Sequence, residues 1–228
     1  MGCQGLTKSY SDENAHISTQ ELTLGFSFHS VAVLEANFYR LMRDDCLDAS
    51  AYAALKDSLS LPNQVDLLLK KLTIQEGVYD GKKLLLYAIL LGKGGEGEKG
   101  TALWHWQGAG SHITMAELES LLGDLFSLSL VLPLDFCLPT VKVTQEKLNS
   151  YLQTQSPKML KASKTVCQLF PWTQATLSQR VFLEFVKDKT AAICSTRALR
   201  STLEETPIMP QRYAAAFQPA SGFQAKLQ

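Results

Sequence analysis

Residues 80–126, DGKKLLLYAILLGKGGEGEKGTALWHWQGAGSHITMAELESLLGDLF, decide the fold. They open on an apolar run over 84–91. Gly92, Gly94, Gly95, Gly97 and Gly100 then make five of nine residues, and a Trp-His-Trp block, a short turn and a capped apolar stretch follow. Two readings compete for this segment. In one, 84–91 is a buried strand feeding a phosphate-binding loop. In the other it is a helix leaving one helix-loop-helix unit, and the glycines link to the next.

The phosphate-loop reading requires G-x-x-x-x-G-K-[ST], so that backbone amides cradle phosphate and the lysine reaches its outer oxygens. Gly92 and Gly97 have the glycine spacing, but Glu98 stands where the lysine belongs. The frame from Gly95 to Gly100 puts Thr101 there, and Glu96 and Glu98 would repel phosphate in either frame. The helical reading fits better. Thr114-Met115-Ala116-Glu117 is a capping box. Met115, Leu118, Leu121, Leu122, Leu125 and Phe126 follow at spacings of three and four, which gathers them on one face.

Ile113 lies just ahead of that cap, after a turn, with Ala102, Leu103 and Trp106 in an aromatic-rich helix before it. Helix, turn, lone β-branched residue, capped helix is the layout of an EF-hand. The segment LGKGGEGEKG, followed by LWHW and HITMAELESLL, resembles the junction between the second and third EF-hands of calcineurin B and neuronal calcium sensors. It also resembles the degenerate EF-hand modules of some ubiquitin-specific proteases. The resemblance is clearest over 65–126 and weaker over 28–60 and 157–190. It implies an all-α fold, two lobes of paired EF-hand-like helix-loop-helix units, each lobe joined by a short β-bridge.

The chain has 228 residues, 46% of them hydrophobic, with 22 basic and 22 acidic side chains. That is enough apolar material for one large domain or two lobes. Zero net charge argues against a nucleic-acid footprint, which shows as a basic stripe. No apolar run is long enough to span a bilayer, and no signal peptide is evident. Cys3, Cys46, Cys137, Cys167 and Cys194 are odd in number, scattered and without C-x-x-C. They read as buried thiols of a reducing, cytosolic compartment. His16, His29, His105 and His112 show no metal-ligand spacing, and no nucleophile motif is present. The expectation is therefore no enzyme, no cofactor and no metal.

Taken in order, 1–20 is polar and aperiodic and reads as a flexible arm. Gly2 and Cys3 invite acylation and hence membrane contact, but Leu6 stands where the myristoylation pattern wants Ser or Thr. Residues 21–126 read as an N-terminal lobe. Val31, Leu34, Phe38, Leu41 and Met42 share a helical face, and Asp48 caps a following helix with Tyr52, Leu55 and Leu59. Counting twelve-residue loops so that Leu47, Tyr79, Ile113 and Leu177 stand eighth gives loops at 40–51, 72–83, 106–117 and 170–181.

Calcium needs oxygen ligands at the first, third and fifth positions and a bidentate Glu at the twelfth. The first loop has Arg40, Met42, Asp44 and Ala51 there. The second has Leu72, Ile74, Glu76 and Lys83. The third opens with Trp106, Gly108 and Gly110 but ends on Glu117, and the fourth has Phe170, Trp172, Gln174 and Val181. Calcium binding is not expected. Residues 127–140 form an apolar connector with Pro133 and Pro139, 141–206 a C-terminal lobe, and 207–228 a tail.

The function this implies is a non-enzymatic adaptor or scaffold that binds a protein partner, such as an amphipathic helix, without calcium. Residues 84–91 are apolar all round, more than a flanked helix needs. Leu85, Ala88 and Ile89 are therefore expected to line a groove, with Tyr213 and Phe217 of the tail as aromatic anchors for it or for a neighbour. The alternatives are a structural subunit of a large assembly, or a nucleotide-binding enzyme built on 92–100.

Overall fold

The computed structural model describes residues 10–207, apart from 108–109, 173–175 and 189–190. Helix dominates it. After α1 (Asp12–Glu21), helix α2 (Val31–Leu41) leads through β1 (Cys46–Asp48) into α3 (Ala49–Ser58). Helix α4 (Asp66–Leu72) leads through β2 (Thr73–Gln75) and β3 (Val78–Asp80) into α5 (Gly81–Leu91). Helix α6 (Glu96–Trp106), β4 (His112–Thr114) and α7 (Met115–Leu130) follow. After α8 (Gln145–Gln155) come α9 (Met159–Leu169), β5 (Thr176–Ser178) and α10 (Gln179–Asp188), and α11 (Thr196–Glu205) closes the described chain.

Local chemistry places most of these boundaries. Ser30, Asp48, Asp80, Thr114 and Thr144 each accept a backbone N–H from three residues ahead, satisfying a donor that the first helical turn leaves unpaired. The strands are three residues long and pair antiparallel; β1–β3 and β4–β5 join different helix-loop-helix units, whereas β2–β3 closes within one. Leu47 lies opposite Tyr79 in β1–β3, and Ile113 lies opposite Leu177 in β4–β5. β4 precedes the 127–140 segment and β5 follows it, so the second sheet spans the connector. The connector is less extended than its prolines suggest: α7 runs on to Leu130, and Leu132–Asp135 form a 3-10 turn. Pro133 fits there because the first turn of a helix needs no N–H from it.

Helix α5 is the centre of the molecule. Leu84, Leu85, Leu86, Tyr87, Ala88, Ile89 and Leu90 are each at most 2% exposed. Helices α2, α4, α6, α7 and α11 surround it. Its all-round apolarity is thus consumed internally, at about 1.5–3 kcal/mol for each large side chain fully buried. A single connected cluster of apolar side chains runs from Ile17 in α1 to Leu203 in α11.

Residues 92–100 are neither strand-fed loop nor plain linker. The α5–α6 turn is short, and Gly97 and Gly100 lie inside α6. A Cβ at Gly100 would stand 3.2 Å from Leu183 Cδ2 and 3.3 Å from Val186 Cγ1. Glycine there lets α10 pack close to α6, at the cost of about 1 kcal/mol of helix propensity.

The N-terminal segment also differs from the arm expected from its sequence. From residue 12 it forms α1, with Asn14 and Ile17 fully buried. Polar contacts hold it. Arg200 of α11, wholly buried, donates from Nη1 to Glu21 Oε1 at 2.8 Å and to the Ser129 carbonyl at 2.7 Å. Its Nη2 reaches Glu21 Oε2 at 2.9 Å and Ser18 Oγ at 2.8 Å, and its Nε reaches Asn14 Oδ1 at 2.8 Å. Tyr87 and Thr196 donate to the same carboxylate at 3.0 and 2.8 Å. Burial opposes the Arg200 charge, but Glu21 more than compensates and raises its pKa above the ordinary value. Burial, with the Glu21 charge alongside, pushes the Tyr87 phenol up.

Candidate functional site

The EF-hand resemblance would place an ion in the loops 40–51, 72–83, 106–117 and 170–181. In the first two, the sixth position carries a left-handed backbone: Asp45 at φ 62° and Gly77 at φ 73°. This is where a calcium-binding loop turns sharply and normally requires glycine. At the ninth position Asp48, Asp80 and Thr114 cap the outgoing helix, accepting the amide of the twelfth residue: Ala51 at 2.7 Å, Lys83 at 2.8 Å and Glu117 at 3.3 Å.

The positions that would contact an ion are committed elsewhere. Arg40 donates to Asn37 Oδ1, and the Lys83 ammonium lies 3.1 Å from Asp80 Oδ2. The second loop folds back on itself, β2 pairing with β3 through Thr73 opposite Tyr79. In the third, Trp104 Nε1 donates to the Gly110 carbonyl at 3.3 Å. Glu117 Oε2 accepts both the amide and the hydroxyl of Thr114 at 2.7 Å, bonds that lower its pKa. In the fourth, Phe170 stacks on Phe182 with centroids 5.6 Å apart, and Trp172 Nε1 donates to the Cys167 carbonyl. Gln174 and Gly108 lie outside the described residues. Among the described residues, no group of three or more His, Cys, Asp or Glu is placed to hold a metal ion.

The 92–100 segment presents a helix N-terminus, but its own side chain occupies it. Glu98 Oε2 accepts the Gly95 N–H at 2.9 Å, taking an amide that a phosphate would need. Lys99 turns inward and donates to the Leu90 carbonyl at 2.7 Å, with burial lowering its pKa. It closes the C-terminus of α5, where a cation is favourable.

Leu85, Ala88 and Ile89, expected in a groove, are each 0% exposed and belong to the core. The neighbours that cover them come from distant sequence, which periodicity cannot register. Tyr213, Phe217, Gly2 and Cys3 lie outside the described residues.

What the surface does offer is a depression of about 500 Å³ between α2 and α6, lined by Glu35, Ala36, Tyr39, His105 and Trp106. Ala32, Ala36 and Tyr39 are exposed on one flank of α2, and Tyr39 is 77% exposed. Phe28, just ahead of the helix, is 70% exposed. Trp106 Nε1 donates to Glu35 Oε1 at 3.1 Å, while His105 Nδ1 stands 4.0 Å from that oxygen, beyond hydrogen-bond distance. Two exposed aromatics, Tyr39 and Phe28, thus lie near the partly buried Trp106 and Glu35. The signal in the sequence was Tyr39 on the outer face of an amphipathic helix. Its partnership with Trp106, some seventy residues on, had no local signature.

In a second opening of similar size, between α3 and α4, the polar groups of the lining pair with one another. Tyr52 OH donates to Asp66 Oδ1 at 2.6 Å, and Lys56 Nζ lies 2.7 Å from Asp66 Oδ2. No helix among the described residues is long and apolar enough to cross a membrane. Comparison of the chain with protein-family models, with curated proteins and with solved structures gives no match in any of the three.

Proposed function

We propose that this chain is a non-enzymatic, EF-hand-like adaptor that docks a protein partner without calcium, and that the α2–α6 face is the docking surface. One observation carries the architectural part. The four eighth-position residues pair two by two, Leu47 with Tyr79 and Ile113 with Leu177. Left-handed Asp45 and Gly77 at the sixth positions add to that support. The register of an EF-hand pair persists while Arg40, Lys83 and Trp106 replace its ligands. A calcium sensor exposes its groove when ion binding reorients its helices. A chain without that switch needs a surface that is open already, and Tyr39, Phe28 and Trp106 supply one.

The nucleotide alternative is disfavoured by Glu98 on the α6 N-terminus and by the inward turn of Lys99. Packing within a larger assembly has one observation in its favour, the exposure of Leu138 near the end of the connector and of Val141 just after it. A photo-crosslinking residue at position 39, with position 141 as comparison, separates these readings. The docking reading expects a discrete protein adduct from position 39, equal in chelator and in calcium. Adducts from position 141 alone would favour the assembly reading.

A further inference from the structure

We infer that the α2–α6 depression receives an arginine side chain carried by the partner, with its guanidinium between Glu35 and the rings of Tyr39 and Trp106. The inference rests on the docking reading and names the chemistry of what docks.

The Glu35 carboxylate is half used. Its Oε1 accepts the Trp106 indole N–H, and its Oε2 takes no hydrogen bond within the described residues. No lysine or arginine among the described residues pairs with it; His105 Nδ1, at 4.0 Å, is the nearest basic nitrogen. A partner that covered Tyr39 and Trp106 with apolar groups alone would bury this carboxylate without a counter-ion, which is strongly unfavourable. An anionic partner would be repelled. A cation satisfies the carboxylate and gains from the aromatic faces beside it.

Arginine fits better than lysine. With Oε1 already occupied by the indole, donors must approach from the Oε2 side, where a planar fork of N–H groups can engage it while lying against a ring. A lysine ammonium keeps its hydration and has no flat face to stack. The opening, about 500 Å³, also takes the arginine methylenes. Ala32 and Ala36 keep the floor of α2 low enough for a partner backbone to approach.

The test uses the full chain and three helical peptides in one alanine-rich frame, with a leucine one turn from a variable position. That position is arginine, its uncharged isostere citrulline, or lysine, and binding is read by fluorescence anisotropy. The arginine peptide should bind about tenfold more tightly than the citrulline peptide and about threefold more tightly than the lysine peptide. Glu35→Gln should abolish the preference over citrulline, because glutamine still accepts the Trp106 N–H while the charge is gone. An unchanged melting temperature and tryptophan fluorescence would verify that this variant is folded. Tyr39→Ala should weaken the arginine peptide about threefold.

Equal binding of arginine and citrulline peptides, a preference that survives Glu35→Gln, or no binding of the arginine peptide at millimolar concentration overturns the inference. Equal binding of the lysine peptide overturns the choice of arginine. A large gain in peptide affinity on Arg212→Gln would show that the chain's own tail is the occupant, and would overturn assignment to a partner. Persistence of the position 39 adduct alongside any of these failures leaves the docking reading intact, whereas loss of that adduct removes the docking reading itself.

Discussion

Replacing Arg200 by methionine is the sharpest perturbation of the fold. Methionine keeps an apolar stem and has no hydrogen-bond donors, so the change removes the polar contacts together with the packing of the guanidinium itself. Glu21, 2% exposed, would keep the hydroxyls of Tyr87 and Thr196 but lose both guanidinium bonds. Asn14 Oδ1, Ser18 Oγ and the Ser129 carbonyl would also lose their Arg200 bonds. Removing one partner of a buried ion pair costs about 3–5 kcal/mol, against a total stability of about 5–15 kcal/mol. For a chain of this size the melting temperature should fall by about 6–20 °C. The assay is thermal and urea unfolding of the single variant and of Glu21→Leu/Arg200→Met. Removing both charges should recover at least about 2 kcal/mol, since the uncompensated carboxylate is the main cost. A loss below about 1 kcal/mol for the single variant, or strict additivity in the double, would refute the clasp as the anchor of α1.

Other expectations follow from the packing. Gly100→Leu should destabilise by about 1–3 kcal/mol, because its side chain must displace Leu183 and Val186. Gly97→Ala should be tolerated, since the crowding atom there is the Lys187 Cε, part of a flexible side chain. Equal effects in denaturant titrations would contradict the close α6–α10 contact. Cysteine labelling gives a third check, made in a Cys3→Ser background. Cys137, Cys167 and Cys194 are buried, and burial raises their thiols to about 12, 11 and 12 respectively. At pH 8 the partly exposed Cys46 should react rapidly with a thiol reagent, and these three only after unfolding. Rapid modification of a second thiol would contradict that burial.

The parts of the fold legible in the sequence are those governed by neighbours in the chain. Asp48, Thr114 and Thr144 cap helices because an oxygen three residues ahead of an amide is a local fact. Leu47 and Ile113 could be picked out as strand residues because a capping residue, Asp48 or Thr114, directly follows each. What escaped depends on distant contacts. Helix α1 carries too weak an apolar pattern to announce itself, and Arg200, 179 residues beyond Glu21, holds it. Gly100 looked like part of a loop because α10, whose Leu183 and Val186 pack against it, lies far along the chain. Leu85, Ala88 and Ile89 looked surplus to a core whose other walls come from α2, α6, α7 and α11. The α2–α6 depression is a property of two helices together, so neither helix alone reveals it.

Calcium independence is read from amide spectra of the full chain recorded through a calcium titration. No saturable shift is expected at Asp45, Gly77 or Glu117, and the environment of Tyr39 and Trp106 should be unchanged from chelator to millimolar calcium. Saturable shifts at the loops with a dissociation constant tighter than about 10⁻⁵ M, the range of calcium sensors, would contradict it.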